Sequence, residues 1–455
     1  MSEFCFDLTI LESAACARAI GYREGKAKMK VLLLTNGTRG DIQPFVALAI
    51  ELVRAGHEVT LALPDALSPL AEAYNIRTKP LNNKLNRLLT GSEYRALVWD
   101  ADRHTLTRLK RTIRLFGEDA SSMVGGLENI SAAADEGADV IVHHATLPAH
   151  HVAEKLAVPA VPVCLHPSWV PTSSFAHPAF RFGSSRVINR ASYSITKAFP
   201  TNLVMNALLR RAIDRWRQET LGLDLRRNRH DILRRPDGGP VTVLQAFSPV
   251  VLPSPLDYPS WVHTTGFWRL PNSHEFEPNQ DLRDFLASGD SPVYVGFGSM
   301  VGSNPEHTTR IVAEALKRVD VRAIVATGWG AIEPEAFGEK VLCINETQHD
   351  WLFPRTRAIV HHGGAGTMSI ALASGRPQVL CPFIVDQPFN ARRLYEIGVA
   401  SAPQPQRRLT SEDLAQAINR AVTDRVMSYR AEQLGARVRA ENGTACAVKI
   451  LESLV

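Results

Sequence analysis

Hydrophobic positions along the chain alternate between short continuous runs and stretches with helical spacing. Lys30 to Thr35 (KVLLLT) is an unbroken apolar run, as expected of a strand buried on both faces of a parallel sheet. It ends in the polar turn Asn36-Gly37-Thr38-Arg39-Gly40-Asp41. A helix is predicted next, with Pro44 near its first turn and Phe45, Leu48, Ala49 and Leu52 on one face. Gly56 closes it, and His57 to Leu63 supplies a second strand, completing a βαβ unit. Further on, Ala138 to Val142 and Val158 to Val163 read as strands around a helix from Pro148 to Leu156. Asn82 to Asn129 reads as helical and amphipathic, and the turn-rich Asp231 to Pro240 marks a break.

The same grammar returns in the second half. Pro292 to Gly298, Val321 to Ala326, Val341 to Ile344, Ala358 to His361 and Gln378 to Pro382 read as strands, and Pro305 to Arg318 as a helix. The alternation predicts an α/β protein of two doubly wound, Rossmann-like domains facing across a cleft. The expected division is 29–240 and 241–455, with C-terminal helices expected to pack back on the first domain. Residues 1–28 match no element and are set apart as an extension.

Composition narrows the class. Hydrophobic residues make up 45% and charged residues 21% of the 455, which fits a water-soluble globular protein. No apolar run approaches the roughly 18 residues of a membrane span, and Met1 to Lys28 lacks the pattern of a secretory signal, so a cytoplasmic location is expected. Six cysteines without a CxxC pair point to reduced, buried thiols. The net charge of +5 is unevenly spread, with basic clusters between Arg181 and Arg235 and between Arg103 and Arg114. A solvated helix face explains them; the functional alternative is peripheral contact with an anionic membrane surface. No aromatic-interleaved motif suggests nucleic acid.

Candidate chemistry gathers at predicted strand ends. In Ile359 to Thr367 (IVHHGGAGT) a strand runs into a glycine cluster and a helix can follow. Glycines let backbone N–H groups approach a phosphate, and the helix amino end adds positive potential. A plain tight turn would explain a lone GGxG; flanking His362 and Thr367 favour phosphate binding. One βαβ step later, Asp386-Gln387 follows a strand, where a carboxylate and an amide can bond neighbouring sugar hydroxyls.

These motifs together resemble inverting glycosyltransferases of the GT-B architecture that use nucleotide sugars, above all the sterol 3-beta-glucosyltransferase-like and glycopeptide-antibiotic branches. The phrases that carry the resemblance are GTRGDIQPFVALAIELVRAGHEVTLA (Gly37 to Ala62), LPSPLDYPSWVHTTGFW (Leu252 to Trp268), PVYVGFGSM (Pro292 to Met300), QHDWLFPRTRAIVHHGGAGT (Gln348 to Thr367) and CPFIVDQPFNARRLYEIGV (Cys381 to Val399). The resemblance fades between about Asn82 and Val241, where such enzymes shape the acceptor pocket.

The resemblance implies roles. His362, Gly363, Gly364, Gly366 and Thr367 should hold the donor diphosphate, with Ser299 at a neighbouring strand end. Asp386 and Gln387 should hold the sugar, His349 the ribose, and Trp329 could stack on the nucleobase. Asp41 is the expected base, in an acceptor-side loop with Thr38, Arg39 and Gly40, and His143 and His144, following the Ala138 to Val142 strand, are candidate assistants. Helix-end hydrogen bonds to Asp41 would depress its pKa and weaken it as a base. The implied co-substrate is a UDP-sugar, or a dTDP-sugar if the transferred group is a deoxysugar. The acceptor would be a hydrophobic alcohol such as a sterol, hopanoid, carotenoid, polyketide or glycolipid, and no metal is expected. A sugar-nucleotide epimerase and a non-catalytic binding partner are the readings from other classes.

Overall fold

The computed structural model describes residues 28–82, 120–180, 185–197, 210–226, 230–271, 276–298, 305–328, 337–345, 347–383 and 386–455. Among them, twelve strands form two wholly parallel sheets, the arrangement that unbroken apolar runs require. In the first domain β1 (Lys30–Leu34) leads through Thr38 into α1 (Arg39–Arg54), and β2 (Glu58–Pro64) and β3 (Arg77–Leu81) extend the sheet to one side. β4 (Val140–His144), α2 (His150–Leu156), β5 (Ala160–Cys164) and the surface helix α3 (Arg186–Lys197) follow. The sheet is completed by β6 (Val243–Gln245) and β7 (Val262–Thr264), in the order β3-β2-β1-β4-β5-β6-β7.

That order corrects the expected division at 240/241. β6 pairs with β5 through Val163 and Leu244, and β7 pairs with β6, so the first domain's sheet runs on to Thr264. Three-residue strands carry no readable period, and the turn-rich segment before them was the stronger sequence signal.

The second sheet has the order β10-β9-β8-β11-β12, built from β8 (Val293–Gly296), β9 (Ala323–Ala326), β10 (Val341–Ile344), β11 (Ala358–His361) and β12 (Gln378–Leu380). The helices used below are α4 (Pro305–Val319), α5 (Ala365–Ser374), α6 (Gln387–Glu396), α7 (Ser411–Thr423), α8 (Arg425–Ala440) and α9 (Gly443–Glu452). Val312 and Leu316 of α4 and Leu414 and Ile418 of α7 pack on Val293, Val295, Val325 and Val360 of the strands.

α9 returns to the first domain, as expected. Ala447, Ile450 and Leu451 share a core with Val31, Leu33, Phe45, Leu48 and Leu61, and His57 meets Glu452 at 3.3 Å. Each fully buried aliphatic side chain contributes roughly 1.5–3 kcal/mol relative to exposure, so α9 is an integral part of that core. A further apolar cluster joins the domains, bringing Phe175, Phe247 and Phe267 against Met368, Leu372, Phe389 and Val438. The cysteines Cys164 and Cys381 carry free thiols. No helix among the described residues is long and apolar enough to cross a membrane.

Candidate active site

In each sheet the strand order reverses beside the first strand, between β1 and β4 and between β8 and β11. Ligands of open parallel sheets lie at the carboxyl ends of strands where this reversal opens a crevice. The turns that leave β1 and β11 therefore stand where chemistry is expected.

β1 leads into Thr35-Asn36-Gly37. Gly37 has φ +120°, and a Cβ there would collide with the Asp41 carboxylate. The carboxylate can therefore fold back over the turn, where Asp41 Oδ2 accepts from Thr38 N (2.7 Å) and from Thr38 Oγ1 (3.0 Å). The result is a capping box, with Thr38 as N-cap. Arg39, Gly40 and Asp41 consequently form the first turn of α1 and are not the loop expected from sequence. The expected depression of Asp41 is also corrected. Burial raises its pKa above the ordinary value, against the lowering effects of the Thr38 hydrogen bonds and the charge of His166. A carboxylate so placed is a better base than a solvated one.

β11 ends on two adjacent histidines with different jobs. His361 donates from Nε2 to Gln378 Oε1 (2.8 Å), while its Nδ1 accepts from Gly363 N (3.2 Å), so it braces the turn from within. His362 points the other way, toward the end of β8, where a Cβ on Gly298 would come within 3.2 Å of its ring. Its Nδ1 is buried without a hydrogen-bond partner. Burial, with smaller contributions from His361 and His349, lowers the His362 pKa to about 3, so the ring is neutral. Gly364 is the N-cap of α5 and no side chain closes this end. The first N–H groups of a helix have no partner within it, which leaves those of Ala365, Gly366 and Thr367 for a ligand. A neutral imidazole N–H beside an open helix amino end suits an anion.

Asp386 is the N-cap of α6. Asn390 Nδ2 donates both to Asp386 Oδ2 (3.0 Å) and to the Gly363 carbonyl (2.9 Å), tying the carboxylate to the glycine turn. Burial raises the Asp386 pKa; His166 and Asn390 oppose this, and the neighbouring Asp41 charge adds to it. Gln387 is buried, and its Oε1 accepts from Phe383 N (2.8 Å), so its carbonyl fixes the loop.

The two halves meet here. A Cβ on Gly366 would lie 3.6 Å from Gly40 Cα, so the first turns of α1 and α5 abut across the cleft. The Arg39 charge acts on His349 of the second domain. His349 stacks on Phe353 (ring centroids 4.6 Å apart) and its Nε2 shares a 3.0 Å hydrogen bond with the Tyr294 hydroxyl. Burial lowers its pKa to about 4.

A family model described as UDP-glucoronosyl and UDP-glucosyl transferase matches residues 48–435. The chain belongs to this glycosyltransferase family. It is 32% identical to a sterol 3-beta-glucosyltransferase of Emericella nidulans, covering 93% of this chain and 30% of that one. It is also 32% identical to a sterol 3-beta-glucosyltransferase of Arabidopsis thaliana, covering 92% of this chain and 65% of the other. The chain thus spans about a third of the length of the fungal relative and just under two thirds of the plant one. The crystal structure of the kitacinnamycin glycotransferase superposes with a TM-score of 0.67 at 18% identity, covering 94% and 99% of the two chains. The shared fold is GT-B, two Rossmann-like domains about a cleft.

Within this glycosyltransferase frame, Ser299 and Trp329 lie outside the described residues. So does the larger part of the 82–129 region, whose described end forms a helix over Ala120–Ala133. His143 and His144 belong to β4 and do not follow it. His144 Nδ1 accepts from Thr146 N (3.3 Å) and pairs with its hydroxyl (2.6 Å), the ring lies 6.2 Å from Phe45, and burial lowers the pKa to about 3. That environment disfavours proton transfer through His144.

Two residues missed by sequence reasoning stand out. His166, two positions after β5, exerts its charge on both Asp41 and Asp386 and is anchored by a 3.0 Å bond to Ser168 Oγ. Its place at a strand end was the available signal, and it lies where the family resemblance is thinnest. Asn390 carried no signal, since its two bonds arise only from tertiary approach.

Proposed function

We propose that this chain is an inverting glycosyltransferase that moves a glucose-like hexose from a UDP-sugar to a hydroxyl of a hydrophobic acceptor, with a sterol as the first choice. The observation that carries the reading is the meeting of Asp41, from one domain, with Asp386 and the His362 turn of the other. The family and the names of the relatives support it. Donor diphosphate oxygens bond to the N–H groups of Gly366 and Thr367 and to His362, with the His362 proton on Nδ1. Asp386 and Gln387 hold the sugar hydroxyls, and His349 faces the ribose.

The acceptor oxygen attacks the anomeric carbon from the side opposite the diphosphate. Its proton passes to the Asp41 carboxylate while the carbon–oxygen bond to UDP breaks. The electron pair leaves on the diphosphate, whose charge the open helix end stabilises without a metal. One displacement inverts the anomeric configuration.

The test is incubation of the full chain with UDP-glucose and with a dTDP-deoxysugar, each with and without a sterol, followed by mass spectrometry. A glucosylated sterol with release of UDP is expected. A changed sugar nucleotide without acceptor would mark an epimerase, and tight donor binding with no product would mark a binding partner.

A further inference from the structure

Helix α3 is inside out for a water-soluble protein. Its polar side chains face inward: Asn189 Nδ2 donates to the Ser173 carbonyl (2.9 Å), Ser192 Oγ accepts from His177 N (2.7 Å) and the Tyr193 hydroxyl donates to the Pro167 carbonyl (3.3 Å). Its apolar side chains face outward, with Val187 79%, Ile188 54% and Ile195 48% exposed, and Ala191 exposed between them. These positions fall on one face of the helix, and exposed Arg186 and Arg190 flank them. A helix packed for water would show the reverse order.

The sequence that carries it is equally one-sided in charge. Between Glu154 and Asp214 the sequence has seven Lys or Arg and no Asp or Glu. An apolar stripe bordered by arginines, with no acidic residue in that whole segment, matches a bilayer surface with anionic headgroups: acyl chains receive Val187, Ile188 and Ile195, and phosphates receive the guanidinium groups. An acidic protein partner would satisfy the arginines but leaves the aliphatic stripe without a specific partner.

We propose that α3 is a membrane-docking element that rests this protein on an anionic lipid surface. The segment that α3 grips, Pro167 to His177, follows directly on His166, whose charge reaches Asp41 and Asp386. Docking through α3 would turn the segment that leads to His166 toward the lipid that holds a hydrophobic acceptor. The docking itself stands on α3 alone; its use in presenting an acceptor rests on the proposed transferase function.

The test is co-sedimentation of the full chain with vesicles of three parts phosphatidylcholine to one part phosphatidylglycerol, compared with phosphatidylcholine alone. Binding to the anionic vesicles only, weakened by salt, is expected. Val187→Glu with Ile188→Glu should weaken it at least about tenfold. Arg186→Ala with Arg190→Ala should weaken it about tenfold or more and abolish the preference for anionic lipid. Both variants alter exposed positions, so thermal melting and transfer to a detergent-solubilised acceptor should be unchanged while transfer to a vesicle-embedded acceptor falls. Equal vesicle binding by both variants and the parent would overturn the proposal. So would self-association of the parent, relieved by the glutamates, in place of lipid binding. Lipid binding with no transfer to any acceptor would refute the catalytic reading and leave the docking intact.

Discussion

The turns that open α1 and α5 are built alike and finished differently. Each follows a buried parallel strand, passes through glycine and starts a helix at the sheet's switch point. In the first, the chain closes the helix end itself: Thr38 and Asp41 satisfy one another, and the potential of that end is spent on an internal carboxylate. In the second, Gly364 adds no side-chain oxygen and the end stays open. On the proposed function, one motif thus yields a base held in place and a seat for someone else's anion. The difference lies in two side chains, the N-cap and the third helical residue, which makes it easy to break.

The largest effect expected is from Asp41→Asn. It keeps the shape of the capping box and removes the proposed base, so kcat should fall by about 10²–10⁴ while donor affinity, by calorimetry, stays within about twofold. Unchanged turnover would remove Asp41 from the mechanism.

On the open side, Gly364→Ala is the matching test. Its φ of −63° accepts alanine without backbone strain, but the new Cβ would strike the His362 ring. Donor affinity should drop about tenfold, the loss of a charge-assisted contact, with the melting temperature nearly unchanged. Undiminished UDP binding would show that His362 is not a diphosphate ligand.

A smaller shift is expected from Thr38→Val, which deletes one of the two bonds to Asp41 Oδ2. That bond lowers the Asp41 pKa, so its loss should raise the pKa further. Activity depends on the ionised form, and the acid limb of the kcat/KM profile should therefore move to higher pH, by up to about one unit. A shift to lower pH would contradict the assignment.

Stability should respond to acid through a different group of residues. His143 and His151 are buried neutral, at about 4 and about 2, mainly by desolvation, and His150 lies between them. Arg217, Arg226 and His230 face this group, and Glu154 pairs with Arg217 at 2.8 Å. Unfolding frees the imidazoles to bind protons below their ordinary pKa of about 6.5. The unfolded state then holds more protons, so stability is complete above pH 6.5 and is lost as pH falls toward 4. Melting temperatures across that range should decline, and His150→Leu should flatten the slope.

What could be read from sequence follows the range of the forces involved. The β1–α1–β2 unit was legible because Lys30 to Leu63 carries its apolar runs, N-cap and closing glycine within one local stretch. The α5 turn and the Asp386-Gln387 pair were legible for the same reason. The domain division was misplaced because β6 and β7 are too short for a period. The direction of the Asp41 shift was misjudged because its local hydrogen bonds are visible in sequence and the burial that outweighs them is not. His166 and Asn390 owe their positions to contacts across elements, and no local pattern marks them.

The return of α9 also bears on the order in which the molecule can be made. His57 and Glu452, 395 residues apart, close the same core. Wherever translation starts, β1, α1 and β2 leave the ribosome early, but the apolar surface of α1 that receives Ala447, Ile450 and Leu451 stays uncovered until synthesis reaches α9. The core of the first domain is therefore completed only after the strands of the second have been made.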